Sequence, residues 1–203
     1  MSLLIKLIKG KEEKEKEFNT PLSAKDTLRE LGIKDKDIKK VVAVKVNGIP
    51  RDLSFQIEES SEIEPIYIDS EEGLEILRHS TAHVMAQAVK RLFPEAKVAI
   101  GPAIKDGFYY DFDYERPFRE EDLPKIEEEM HKIIQEDYPF IRKEISREEA
   151  IRFFESKGEI YKVELLKEIS DEKVSIYTQG EFTDLCRGPH IPSTGMIKAF
   201  ALT

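Results

Sequence analysis

The most restrictive feature of this chain is a change of hydrophobic period near residue 70. Before it, apolar residues come in short strand-like blocks: Leu3-Leu4-Ile5-Lys6-Leu7-Ile8, Val41-Val42-Ala43-Val44-Lys45-Val46 and Ile63-Glu64-Pro65-Ile66-Tyr67-Ile68. After it, helical spacing holds from about residue 74 to residue 93, and Pro94 ends it. The two patterns do not share one core, so the chain divides into a first domain, residues 1–69, and a second, residues 70–203. Its 203 residues suffice for two small domains, each with its own core.

Within the first domain the order is strand, charged turn, strand-flanked helix, strands. Gly10 and the charged run 11–17 read as a solvated turn. Ser23, with Asp26 three residues on, caps a helix whose inner face carries Leu28 and Leu31, and Gly32 ends it. Asn47-Gly48 behind an apolar strand is a hairpin signal. Two strand pairs around one helix in under 70 residues imply a β-grasp, ubiquitin-like fold. The second domain adds a helix over 123–136, a helix over 147–155 opened by the Ser146/Glu149 capping box and stopped by Gly158, and then short strands and turns. This is an α+β domain with a mainly antiparallel sheet and a long helix that bears the principal motif.

Charge is uneven. Residues 1–51 hold 13 basic and 8 acidic side chains; the remainder hold 19 and 33, for a net charge of −9 overall. A basic head could touch RNA locally, but an acidic body is not a general nucleic-acid binder. The apolar runs are too short to span a membrane, the N-terminus lacks the form of a secretory signal, and one cysteine permits no internal disulfide. A cytoplasmic setting is expected.

Two spaced pairs carry the chemistry. His79 and His83 stand four apart on the long helix, on one face. Leu74, Leu77, Thr81, Val84, Met85, Ala88 and Leu92 form the apolar stripe of that helix, which leaves the histidines on the opposite side, in a cleft or in solvent. Cys186-Arg187-Gly188-Pro189-His190 presents a second pair from a Gly-Pro turn. Four N/S groups in two local pairs are what a tetrahedral zinc site needs. The remaining histidine, His131, lies on a charged helix and reads as surface.

These residues also carry a resemblance. His79-Ser80-Thr81-Ala82-His83, Ile100-Gly101-Pro102, Gly107-Phe108-Tyr109-Tyr110-Asp111, Tyr161-Lys162-Val163 and Asp184-Leu185-Cys186-Arg187-Gly188-Pro189-His190 resemble the second N-terminal domain of threonyl-tRNA synthetases. Alanyl-tRNA synthetases have a related domain with the same two pairs; the Gly-Phe-Tyr-Tyr-Asp stretch and the Gly-Pro-His context favour the threonyl family. Residues 1–68 resemble the TGS domain that precedes it. The resemblance implies an editing deacylase that removes serine from threonine tRNA, gripping the single-stranded 3′ end. It also implies that the chain, ending at Thr203, stops before the family's class II catalytic and anticodon-binding domains, so that neither ATP nor Mg is expected to bind.

The resemblance assigns the site. His79 or Lys162 would position or deprotonate the water, Asp184 would hold the serine ammonium, and Tyr110, with Tyr109 beside it, would contact the serine side chain or terminal ribose. His83, Cys186 and His190 would complete the pocket, with Cys186 as a binding residue. Lys162 read without the resemblance is a surface strand lysine. No cofactor is required on this reading, although zinc held by His79, His83, Cys186 and His190 is the alternative, as in the alanyl relatives. The need for such a site is physical. Serine is threonine minus a methyl, and a threonine pocket rejects it by only about 1–3 kcal/mol, or roughly 10–200-fold. A second site that admits serine and excludes the methyl multiplies the selectivity. Two other functions fit the same residues: a zinc hydrolase of small aminoacyl esters, and a non-catalytic RNA-binding or regulatory module.

Overall fold

Val41–Val46 is a strand with five of its six residues buried, which only the interior of a sheet can supply. The computed structural model, which describes residues 2–203, places it there. In chain order the strands of this region are β1 (Leu3–Lys9), β2 (Glu12–Phe18), β3 (Leu22–Ser23), β4 (Val41–Val46), β5 (Ile49–Asp52), β6 (Gln56–Ile57) and β7 (Ser61–Tyr67). Five form one sheet in the order β2-β1-β7-β4-β5, and β3 pairs with β6. Strands β1 and β7 run parallel; every other pairing among the described residues is antiparallel. Asn47 and Gly48 have φ of 50° and 81°, the left-handed pair that a tight hairpin between β4 and β5 requires.

Helices α1 (Ala24–Glu30) and α2 (Asp35–Ile38) complete this part. The Ser23 hydroxyl accepts the Asp26 amide at 3.1 Å, so the N-cap forms as its spacing indicates. Leu28, Leu31, Ile33 and Ile38 pack with Ile5, Leu7, Val44 and Ile63 into one apolar core. The run 11–17 is not the solvated turn expected from its charge. Gly10 and Lys11 turn, and 12–18 then pairs residue by residue with β1. Six of the seven side chains of β2 are exposed, which suits an edge strand, where charge discourages further pairing.

Helix α3 spans Glu71–Leu92. The molecule divides into two compact units within this helix: one runs to Leu77 and includes Gly188–Pro192; the other comprises Arg78–Arg187 and Ser193–Thr203. The apolar stripe read from sequence does not describe α3. Leu74 and Leu92 are exposed, whereas Ile76, His83 and Ala86 are buried, and every residue from Ser80 to Val84 and from Ala86 to Val89 is buried. This segment is enclosed on most of its circumference, so a one-sided stripe is not required of it.

The second unit contains a three-stranded antiparallel sheet, β12 (Ile141–Ser146), β13 (Lys173–Gln179) and β14 (Phe182–Leu185), with β13 central. Two short ladders stand apart from it: β8 (Lys97–Val98) with β11 (Phe112–Asp113), and β9 (Ala103–Ile104) with β10 (Gly107–Phe108). Helix α4 (Leu123–Glu136) has the bounds its pattern indicates, and α5 (Arg147–Ser156) opens on the Ser146 cap, whose hydroxyl accepts the Glu149 amide at 3.1 Å. After Gly158 the chain forms a further helix, α6 (Ile160–Glu168), where strands and turns were expected. Val163 and Leu166 of α6 pack with Phe154, Ile145 and Ile176, and this tertiary contact selects helix for a segment whose short apolar run is compatible with either structure. No helix among the described residues is long and apolar enough to cross a membrane.

Candidate functional site

The site is assembled from four parts of the second unit. Helix α3 supplies His79 and His83, helix α6 supplies Lys162, and β14 with the residue after it supplies Asp184 and Cys186. Tyr110 arrives from the strand-like stretch between β10 and β11.

Burial separates these side chains into two groups. Lys162 and Asp184 are 3 % and 2 % exposed, and His83 and Tyr110 are also buried; His79 and Cys186 are half-buried. Lys162 is therefore neither on a strand nor on the surface. Its Nζ donates to the Ala99 carbonyl at 2.6 Å and to the Tyr110 hydroxyl at 3.2 Å, and it forms an ion pair with Asp184 Oδ1 at 2.8 Å. Those three acceptors match the three donors of an ammonium. The Tyr110 hydroxyl donates a short hydrogen bond to Asp184 Oδ2, and the Leu185 amide donates to Asp184 Oδ1 at 2.8 Å. A carboxylate has about four acceptor positions, so three bound donors leave room for one more.

The second group lies alongside. His79 Nε2 and Cys186 Sγ are 3.1 Å apart, within hydrogen-bonding distance. The His79 and His83 rings meet edge to face, with centroids 4.8 Å apart. His83 Nδ1 lies 3.8 Å from Asp184 Oδ2 and joins the two groups. Cys186 is fixed by backbone: its amide donates to the Ser175 carbonyl at 3.1 Å and its carbonyl accepts the Ser175 hydroxyl at 2.5 Å. The ligand atoms of His79, His83 and Cys186 lie within 4.8 Å of one another, and these side chains could together hold a metal ion.

Electrostatics follow from this packing. Burial, followed by the nearby His79 and Lys162, pushes His83 well below the usual imidazole range, so it is neutral near pH 7. Burial, with Asp184 next to it, pushes the Tyr110 phenol well above its ordinary value; it remains a donor. The pocket thus presents a satisfied Lys–Asp–Tyr network, a neutral imidazole and a half-exposed His–Cys pair.

The other candidates stand as follows. Tyr109 is 41 % exposed and turns away from the buried position of its neighbour Tyr110. His190 is buried in the segment Gly188–Pro192, which groups with the first unit; its amide donates to Asp52 Oδ1 at 3.0 Å, and the Gly188–Pro189 bond is cis. His131 is exposed and lies against the Phe200 ring, with centroids 4.7 Å apart. The residues that sequence reasoning missed act through backbone: the Ala99 carbonyl on Lys162 and the Leu185 amide on Asp184. Backbone groups have no residue-type signature, so no motif search could have found them.

Comparison with known proteins bears on this arrangement. The family model described as "Threonyl and Alanyl tRNA synthetase second additional domain" matches residues 174–203, the stretch holding Asp184, Cys186 and His190. A threonine–tRNA ligase from Nitratidesulfovibrio vulgaris (strain Miyazaki F) is 52 % identical over 182 residues, 89 % of this chain. Those from Carboxydothermus hydrogenoformans and Symbiobacterium thermophilum are 59 % and 57 % identical over 165 residues, 81 % of it. Over most of its length the chain is similar to these threonine–tRNA ligases. It spans 28 %, 26 % and 25 % of the length of these three relatives. The relatives' shared name speaks for the whole ligase, and this chain matches about a quarter of it.

Proposed function

We propose that the second unit is an editing deacylase that hydrolyses serine wrongly esterified to threonine tRNA, and that the first unit, with helices α1 and α2 packed on its five-stranded sheet, is a β-grasp TGS module. The observation that carries the reading is the buried Lys162–Asp184–Tyr110 network beside the half-exposed His79–Cys186 pair. A carboxylate with one acceptor position left is suited to an α-ammonium, and the two half-exposed groups are suited to a water. The substrate would be the 3′ end of threonine tRNA, and the class II catalytic and anticodon-binding regions of the full-length ligase would hold the rest of the tRNA.

The chemistry then runs as ester hydrolysis without a covalent intermediate. Asp184 takes the serine ammonium. Lys162 stays paired with the same carboxylate and holds it in place. A water held beside His79 gives its proton to the His79 imidazole, the water oxygen attacks the ester carbon, and the ribose oxygen leaves with the proton the imidazole returns. Tyr110 keeps Asp184 in place, and neutral His83 packs the floor. A threonine methyl is excluded by contact, which multiplies the modest selectivity of a first pocket.

The rival is a zinc-dependent hydrolase. The donor types of His79, His83 and Cys186 fit zinc, which would supply an activated water there. The spacing fits less well: Zn–S near 2.3 Å and Zn–N near 2.0–2.1 Å at a tetrahedral angle put nitrogen and sulfur about 3.5 Å apart. His79 and Cys186 instead bond each other directly at 3.1 Å. We therefore route no step through a metal. One assay separates the readings: release of serine and threonine from the two charged forms of threonine tRNA, with and without chelator. Faster loss of serine, unchanged by chelator, is expected. Equal rates for the two esters would remove the editing proposal, and loss of activity with chelator, restored by zinc, would replace it with the metal reading.

A further inference from the structure

We infer that Gly101 is a positioning residue of this site: its missing side chain is the space in which the Tyr110 ring lies. A Cβ on Gly101 would come within 2.6 Å of Tyr110 Cγ and closer still to Cδ2 and Cε2, atoms of a rigid ring. Either the ring or the backbone would have to move. Backbone conformation does not require glycine here, since Gly101 is absent from the positive-φ residues that include Gly10, Gly48 and Gly188. The ring is the reason for the glycine.

The loop does two tasks at once. Its Ala99 amide donates to the Asp111 carbonyl at 2.9 Å, and the Asp111 amide donates to the Ile100 carbonyl at 2.7 Å, so this strand-like pairing sets Gly101 next to Tyr110. The same Ala99 turns its carbonyl to Lys162 Nζ at 2.6 Å. Tyr110, seated on Gly101, reaches Asp184 and Lys162 with its hydroxyl. Two of the three partners of Lys162, and one of the three donors to Asp184, thus depend on the loop 99–101. A methyl at residue 101 would displace the phenol from Asp184 without touching any charged group. This inference rests on the proposed editing reading for its kinetic consequence and on geometry alone for its structural one.

The test is Gly101→Ala in the full chain, with tyrosine ring carbons labelled for NMR. The Tyr110 Cζ resonance, assigned by Tyr110→Phe, should shift, while the urea midpoint shows a folded protein. Serine release from threonine tRNA should fall at least tenfold in kcat, with KM within twofold, since the loop touches the reacting network rather than the tRNA. In the background of Tyr110→Ala, where there is no ring to collide with, Gly101→Ala should have no further effect on kcat; this double variant also gives a folded comparison should the single variant fail to fold. An unmoved resonance, or the same kcat penalty with and without the ring, would overturn the inference. If the wild-type chain releases no serine, the editing reading fails by itself, and the resonance still decides whether Gly101 seats Tyr110.

Discussion

The two units solve different problems. In the first, the buried residues are nearly all apolar: Thr27, Ser61 and His190 are its buried polar side chains among the described residues. In the second, Ser80, Thr81, His83, Gln87, Asp122, Glu159, Lys162, Gln179, Asp184 and Thr194 are all buried. A unit of the first kind is stabilised by area removed from water, and each residue contributes almost independently. A unit of the second kind depends on partners, because a buried charge without its counter-group costs several kcal/mol. Lys90 with Glu159 at 2.7 Å, Arg116 with Asp122 at 2.7 Å and Lys162 with Asp184 at 2.8 Å show how consistently this is met. Buried charged groups are concentrated in the second unit, and with them fragility to single polar substitutions.

That contrast can be broken or sharpened by substitution. Lys162→Met should have the largest effect, since it strands the buried carboxylate proposed to hold the substrate ammonium: we expect a fall of more than a hundredfold in serine release and a stability loss of about 3–5 kcal/mol in urea unfolding. A stable, active Lys162→Met protein would show that the second unit tolerates what the comparison says it cannot. Ile63→Ala, in the core of the first unit, should cost about 2–5 kcal/mol through a cavity, yet leave serine release per folded molecule within twofold. A matching loss of catalysis would abolish the division of labour.

Next comes a pH effect. His83 is held neutral in the folded chain but binds a proton below about pH 6.5 when unfolded. The unfolded state then carries the extra proton, so stability falls as pH drops below 6.5, with a slope of up to about 1.4 kcal/mol per pH unit from this group. His83→Asn should flatten the stability curve between pH 6.5 and 5 by up to that amount; an unaltered slope would show that His83 titrates normally. The smallest expected change is local: Ser146→Ala removes the hydroxyl that caps α5 and should cost about 1 kcal/mol in urea unfolding, with catalysis unaffected.

Legibility followed locality. The Asn47-Gly48 hairpin, the Ser23 and Ser146 caps and the bounds of α4 are settled by residues within four positions of one another, and sequence reading places each of them where the structure does. It misplaced 11–17 because charge alone does not distinguish a solvated turn from an edge strand; the decision came from β1, which offers a free edge. It missed α6 because Val163 and Leu166 face a core that includes Ile145 and Ile176 of the strands β12 and β13. Within the site, His79, His83 and Cys186 are a pattern of rare residue types at short spacing and were named from it. Lys162 carries no such pattern: a lysine is ordinary on any surface, and only its burial against Ala99, Tyr110 and Asp184 distinguishes it.

What the sequence by itself determined, then, is the set of local elements and the cast of reactive side chains, because turn geometry, capping and rare-residue spacing act over a few bonds. What only the tertiary structure decided is which of those side chains leave water. Lys162 became an internal cation and His83 a neutral ring because segments some 60 to 100 residues apart meet around them, as the Ala99–Lys162 and His79–Cys186 bonds record. Desolvation is a property of that meeting and not of any residue taken alone.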